Sequence, residues 1–226
     1  MIERITFATE DGRTASGVLG APGGDQPAGA VVLLQEWWGV NAHIASLVER
    51  LAAAGFLVLA PDLYEGRIAT DAATASAYMT ELKWPRAFEI VKGAAATLRA
   101  HPRCNGKLGV TGFCMGGAGA LLAAATLAGF DAAVAFYGVP PAELTDWSTA
   151  ETPPLQAHFS ASDPWARVSR AEEIGAALKA RGRGFELFVY EAEHAFVNDT
   201  RPEVYSPADA MLAWSRMVGF FHQHLR

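Results

Sequence analysis

The sequence predicts an α/β fold: a mostly parallel central sheet with helices on both faces and an antiparallel start. Three observations predict it. The chain opens with two loosely alternating runs split by a turn signal. Short, continuously apolar runs follow, as strands buried on both faces require. Between those runs lie segments with helical spacing, and such alternation of strand and helix builds parallel sheets. Of the 226 residues 51% are hydrophobic and 19% charged, ample material for one large core. No long polar linker, low-complexity tract or internal repeat divides them, so residues 1–226 are expected to form one domain.

The elements follow in order. Ile2–Thr9 and Thr14–Leu19 form the opening pair around Asp11-Gly12, a hairpin signal. Ala30–Leu34 is the first fully apolar strand. Ile44–Ala54 has helical spacing and stops at Gly55, which suits a C-cap. Phe56–Ala60 is the next strand, halted by Pro61. Asp71–Leu82 and Pro85–Ala100 read as helices broken at Pro85, with the proline in the first turn of the second. Strand Leu108–Thr111, helix Met115–Ala128 and strand Ala132–Phe136 come next. Strand Leu155–Ser160, helix Arg167–Ala180, strand Phe185–Tyr190 and helix Pro207–His224 complete the chain.

Composition removes several classes of function. The net charge is −6 and no Lys/Arg stripe is present to neutralise phosphates, so no nucleic-acid partner is expected. Met1-Ile2-Glu3-Arg4 lacks the basic-then-apolar pattern of a signal peptide. The longest apolar stretch, Ala118–Ala128, is too short and too rich in Gly and Ala to span a bilayer, so no membrane partner is expected. Two cysteines are too few for a disulfide scaffold, and a reducing cytoplasm fits best. No CxxC, HExxH or Cys/His cluster suggests a metal. Gly116, Gly117 and Gly119 do not make a dinucleotide fingerprint, so no cofactor is expected. A monomer is expected.

The chemistry is concentrated in Gly112-Phe113-Cys114-Met115-Gly116, between an apolar strand and an Ala/Leu-rich helix. That is the strand–turn–helix context of a nucleophile elbow, with cysteine where serine is more usual. Glycines allow the sharp turn, and the unpaired N–H groups at a helix start favour negative charge on the sulfur. Two further residues follow strand ends: Asp163 after Leu155–Ser160 and His194 after Phe185–Tyr190. The order nucleophile, acid, histidine is that of the α/β-hydrolase fold. A thiol needs a base, an imidazole can serve as one, and a carboxylate fixes the imidazole tautomer.

Plainer readings suit the remaining candidates. Cys104 lies in a turn with no base near it in sequence. Asp163 could also start a helix near Pro164. His43 falls near a helix start, His158 inside a strand as a core histidine, and His222 and His224 at a helix end where they complement the dipole.

In these residues the sequence resembles the dienelactone hydrolase family, cysteine hydrolases of the α/β-hydrolase fold, over nearly the whole chain. The elbow carries the resemblance together with Gln35-Glu36-Trp37-Trp38-Gly39, Ala60-Pro61-Asp62-Leu63-Tyr64, Phe136-Tyr137-Gly138 and Tyr190-Glu191-Ala192-Glu193-His194-Ala195-Phe196. The C-terminal helix with Ala213-Trp214 and Phe220-Phe221 also fits. The resemblance implies that Cys114, Asp163 and His194 form a triad. It implies that Glu36 holds the resting thiol, and that the backbone N–H groups of Trp37 and Met115 form an oxyanion hole. Trp38, Tyr64, Phe113 and Tyr137 are expected to line the substrate pocket. Classical members of that family hold an anionic lactone with arginines. Here Asn198 stands at or near one such position, and Arg67, Arg86 and Arg201 are candidates to compensate.

The expected activity is hydrolysis of small lactones or esters through a covalent acyl-enzyme. Neutral or apolar acyl groups should be accepted alongside any carboxylated lactone. Thioester or general carboxylester hydrolysis on the same scaffold remains open, as does a non-catalytic binding role. The intact Cys114, Asp163 and His194 argue against the last.

Overall fold

The computed structural model describes residues 2–226. Strands β1 (Ile2–Ala8) and β2 (Thr14–Gly20) pair antiparallel, from Ile2 opposite Gly20 to Ala8 opposite Thr14. The chain continues through β3 (Ala28–Leu34), α1 (Ala42–Ala53), β4 (Leu57–Pro61), α2 (Ala72–Glu81) and α3 (Trp84–Ala100). Then come β5 (Cys104–Phe113), α4 (Met115–Thr126) and β6 (Ala132–Phe136). A 3-10 turn at Ala142–Leu144 precedes β7 (Leu155–Ser160), α5 (Val168–Ala180), β8 (Phe185–Tyr190) and α6 (Pro207–His224). Among the described residues eight strands join one sheet in the order β1-β2-β4-β3-β5-β6-β7-β8. β2 meets β4 antiparallel, and every pair from β4 to β8 is parallel. This is the α/β sheet with an antiparallel start that the sequence predicts.

Alternation along β3 explains why its run is continuously apolar. Ala30, Val32 and Leu34 face one core, with Ile90 and Val91 of α3, Leu121 of α4 and Ile174 of α5. Val31 and Leu33 face the other, with Leu47 and Leu51 of α1 and Met217 and Phe221 of α6. Each fully buried Val, Leu, Ile, Met or Phe side chain here contributes roughly 1.5–3 kcal/mol of transfer free energy, so both faces must be covered. Among the described residues no helix is long and apolar enough to cross a membrane.

Element ends depart from the sequence reading where side chains or strand pairing extend them. Asn41 Oδ1 accepts from the Ile44 N–H at 3.1 Å, so α1 starts two residues before Ile44 and takes in His43. Cys104 is corrected from a turn to the first residue of β5, opposite Ala28. Pro61 ends β4 from inside the strand, opposite Gly17. His158 is buried in β7, with Nδ1 2.8 Å from the Tyr190 hydroxyl and Nε2 2.8 Å from Gln156 Oε1. Burial, together with the charge of Arg216, lowers its pKa to about 3, so it is a neutral core histidine.

Candidate active site

From β3 the chain passes to β4 on one side, then crosses through α2 and α3 to β5 on the other. The loops leaving β3 and β5 therefore diverge and open a crevice at the carboxyl end of the sheet, the place where open α/β sheets bind ligands. Glu36 and Trp37 follow β3, Cys114 follows β5, Asp163 follows β7 and His194 follows β8.

Cys114 joins β5 to α4 with φ 57° and ψ −119°, a conformation costly for a residue with a Cβ. Its N–H donates to the Phe136 carbonyl at 3.0 Å, and its own carbonyl accepts from the Ala118 N–H at 3.2 Å. These bonds tie the strained turn to β6 and to the first turn of α4. Gly116 makes the turn possible on its other side. A Cβ there would sit 2.3 Å from the Leu34 carbonyl oxygen and 2.5 Å from that of Gln35. Only glycine lets the start of α4 pack this tightly on the end of β3. Trp37 and Met115 lie on the two sides of this contact. Among the described residues, neither of their backbone N–H groups has an acceptor.

The His194 ring is oriented from its far side. Nδ1 lies 2.6 Å from Asp163 Oδ2, and the other carboxylate oxygen accepts from the N–H groups of Trp165 at 2.7 Å and Ala166 at 2.9 Å. Asp163 therefore both caps its own turn and holds the ring. Burial alone would lower the pKa of His194. The hydrogen bond to Asp163 and its charge, helped by the neighbouring Cys114, outweigh burial and raise it to about 10. The Tyr137 ring meets the imidazole edge-on, with centroids 5.2 Å apart. Positive φ values at Cys114, Tyr137 and Ala195 place three strained residues at one site.

Glu36 is buried beside this group. Its Oε2 accepts from Asn198 Nδ2 at 2.8 Å, while Oε1 is buried without a partner. The Thr200 N–H and hydroxyl donate to Asn198 Oδ1 at 3.1 and 2.7 Å, which fixes the amide so that its NH₂ faces Glu36. Burial pushes the Glu36 pKa up to about 7, opposed by the Asn198 hydrogen bond and the charges of His194 and Arg201. Glu36 and the Cys114 thiol share no hydrogen bond among the described residues, so the carboxyl is held by Asn198 and not by the thiol. Asn198, expected against substrate, is corrected to a buried partner of Glu36.

A pH effect on stability follows. Between the ordinary carboxyl value of 4.5 and about 7 the folded state retains a proton that the unfolded chain releases. Stability is then present below pH 4.5 and falls as pH rises through 7, by up to about 3 kcal/mol. Glu36→Gln cannot ionise, so its melting temperature should fall less than that of the wild type between pH 5 and pH 8. Equal falls in thermal denaturation would assign the effect to another group.

A cavity of about 830 Å³ opens over the sulfur. Glu36, Trp37, Trp38, Cys114, Met115, Tyr137, His194 and Arg201 all border it. Two expected lining residues do not. Phe113 is fully buried and stacks on Phe136 at 4.6 Å, because its side chain leaves the last strand position toward the core. Tyr64 is buried beneath the site, where its hydroxyl donates to the Met115 sulfur at 3.2 Å. Arg67 pairs with Glu81 and lies over Tyr78, and Arg86 pairs with Glu65 and Asp11; neither borders the cavity. Sequence reasoning missed Met79, Leu82, Trp84, Val139, Pro141, Trp165 and Val204, which supply much of the wall. Only Trp165 carried a usable signal, two residues past Asp163 in a loop at the carboxyl end of a strand.

Comparison with known proteins identifies the family. The sequence profile of the dienelactone hydrolase family matches residues 16–225. The protein named "Putative carboxymethylenebutenolidase" of Aquifex aeolicus (strain VF5) is 31% identical over 207 residues, covering 87% of this chain and 89% of its own. Protein usf of Aquifex pyrophilus is 32% identical over 206 residues, covering 86% and 88%. The crystal structure of "Putative Dienelactone Hydrolase" from Klebsiella pneumoniae superposes with a TM-score of 0.87 at 28% identity, covering 99% of both chains. A dienelactone hydrolase-like promiscuous phosphotriesterase from metagenomic libraries shares the fold, with a TM-score of 0.84 at 23% identity over 100% of this chain and 99% of its own. A profile match running from β2 to the end of α6, on a sheet of this order, makes this chain a member of the dienelactone hydrolase family, a hydrolase of the α/β-hydrolase fold.

Proposed function

We propose that this protein hydrolyses ester or lactone bonds through a covalent thioester on Cys114. The observation that carries the reading is the convergence of the strained Cys114 turn with a His194 ring bound to Asp163 at 2.6 Å, under one cavity.

The steps follow from the groups present. The imidazole takes the thiol proton while Asp163 accepts from Nδ1–H and stabilises the imidazolium. The sulfur adds to the carbonyl carbon, and the oxygen that becomes negative accepts from the free N–H groups of Trp37 and Met115. Collapse breaks the carbon–oxygen bond, and the imidazolium protonates the departing alkoxide, which in a lactone stays attached as a hydroxyl. Water then attacks the thioester, its proton passes to His194, and carboxylic acid and thiol are released. Glu36 borders the same cavity as Cys114. With its pKa at about 7, it stays largely protonated in mildly acidic solution.

The test is kcat/KM for wild type and Cys114→Ala against a lactone, an aryl ester and a thioester. The reading expects the wild type to turn over the first two and the variant to turn over none. Wild-type inactivity toward every ester and lactone would refute it.

A further inference from the structure

The outer part of the cavity has a feature that the reaction itself does not use. Trp165 borders it with 75% of its surface exposed, and Met79 with 40%. Trp165 is not loosely attached, because its backbone N–H donates to Asp163 Oδ1 at 2.7 Å. The backbone is thus anchored on a carboxylate of the site while the indole stands in solvent. Met79 lies on α2, a helix with only Ala75 buried. A flexible thioether and an indole flanking one opening make an adaptable apolar rim.

The charges of the wall point the same way. Its one Lys or Arg is Arg201, whose Nε already donates to Glu203 Oε1 at 2.9 Å and whose guanidinium lies 5.8 Å from the centre of the Trp38 ring. Glu36 and Glu193 also border the space. A substrate carboxylate would meet one guanidinium, already bound through Nε to Glu203, and would face two carboxyl groups. A neutral apolar group would avoid that cost and cover exposed aromatic surface.

We infer that this site selects neutral esters bearing a bulky apolar group, and that Trp165 and Met79 form an outer subsite that closes on that group. The inference rests on the ester-hydrolase reading above and names its substrate class.

The experiment is kcat/KM for neutral aryl and alkyl esters in which the acyl and alcohol halves are enlarged separately, beside a carboxylated lactone. It uses wild type, Trp165→Ala, Trp165→Phe and Met79→Ala. These substitutions leave the backbone bonds to Asp163 in place, so the fold should survive. In the wild type kcat/KM should rise with apolar size in at least one half of the ester, and bulky neutral esters should exceed the carboxylated lactone. Trp165→Ala should reduce the selectivity ratio of bulky ester to acetyl ester by about tenfold or more. Met79→Ala should reduce it less, and Trp165→Phe should restore most of it.

No dependence on size, an unchanged ratio in Trp165→Ala, or a preference for the carboxylated lactone would overturn the proposal. So would an unchanged ratio combined with a shift in oligomeric state on gel filtration, which would assign the exposed indole to a contact between copies. Failure of the underlying reading shows elsewhere, as absence of ester turnover by the wild type. The subsite would then be judged by binding: quenching of tryptophan fluorescence in Cys114→Ala by a bulky neutral ester but not by its acetyl counterpart supports it, and equal quenching overturns it.

Discussion

Replacing Cys114 with alanine is expected to lower kcat/KM for every ester or lactone substrate by about 10³-fold or more. Alanine keeps a Cβ and adopts the same strained dihedrals as readily as cysteine, so β5, the turn and α4 should be retained. What disappears is the only thiol among the described residues that border the cavity. Cys104 cannot replace it, because it begins β5 and Cys114 follows that strand's far end. The remaining N–H donors and cavity walls would bind substrate but form no bond to it. Steady-state kinetics on a protein with unchanged circular dichroism tests this. An alanine variant within tenfold of the wild type would remove Cys114 from the reaction.

The second large effect is expected from Asp163→Asn, with a loss in kcat of about 10²–10⁴-fold. Asparagine can keep the oxygen that receives the Trp165 and Ala166 N–H groups, so the turn should hold. Its NH₂ then faces His194 Nδ1 in place of Oδ2. A donor at that position forces Nδ1 to accept and leaves the proton on Nε2, the nitrogen that must take the thiol proton. The ring would stand in place as the wrong tautomer, and its raised pKa would fall with the loss of the carboxylate. Turnover and an NMR titration of His194 would report the two changes together. Full activity, or a histidine titration equal to that of the wild type, would mean that Asp163 does not act through the ring.

The sheet was legible in the sequence because burial on two faces writes itself locally. Val31, Val32 and Leu33 are apolar in succession because each alternation lands in a core. Cys114, Asp163 and His194 were legible as positions because loops after strands carry chemistry and the elbow has a local pattern. The structure brings Asp163 and His194 into contact and sets His194 against the cavity that Cys114 also borders.

The walls were less legible. Phe113 and Tyr137 are both aromatic residues at strand ends, yet Phe113 turns into the core while Tyr137 reaches the cavity. Residue type at a strand end does not reveal which face it takes. The contact of Asn198 with Glu36 joins residues 162 positions apart, beyond the reach of any local pattern. Trp84 and Met79 reach the site only because α2 and the start of α3 pass over the crevice on the way from β4 to β5, which no local pattern encodes.

The most direct measurement is mass spectrometry of the enzyme quenched in acid during turnover of an activated aryl ester. The account predicts a mass increase equal to the acyl group, on the peptide containing Cys114, formed at least as fast as steady-state turnover. It should be absent in Cys114→Ala and should persist longer in Asp163→Asn, where water attack on the thioester is also slowed. Acylation of a different residue at a rate matching turnover, with Cys114 unmodified, would contradict it.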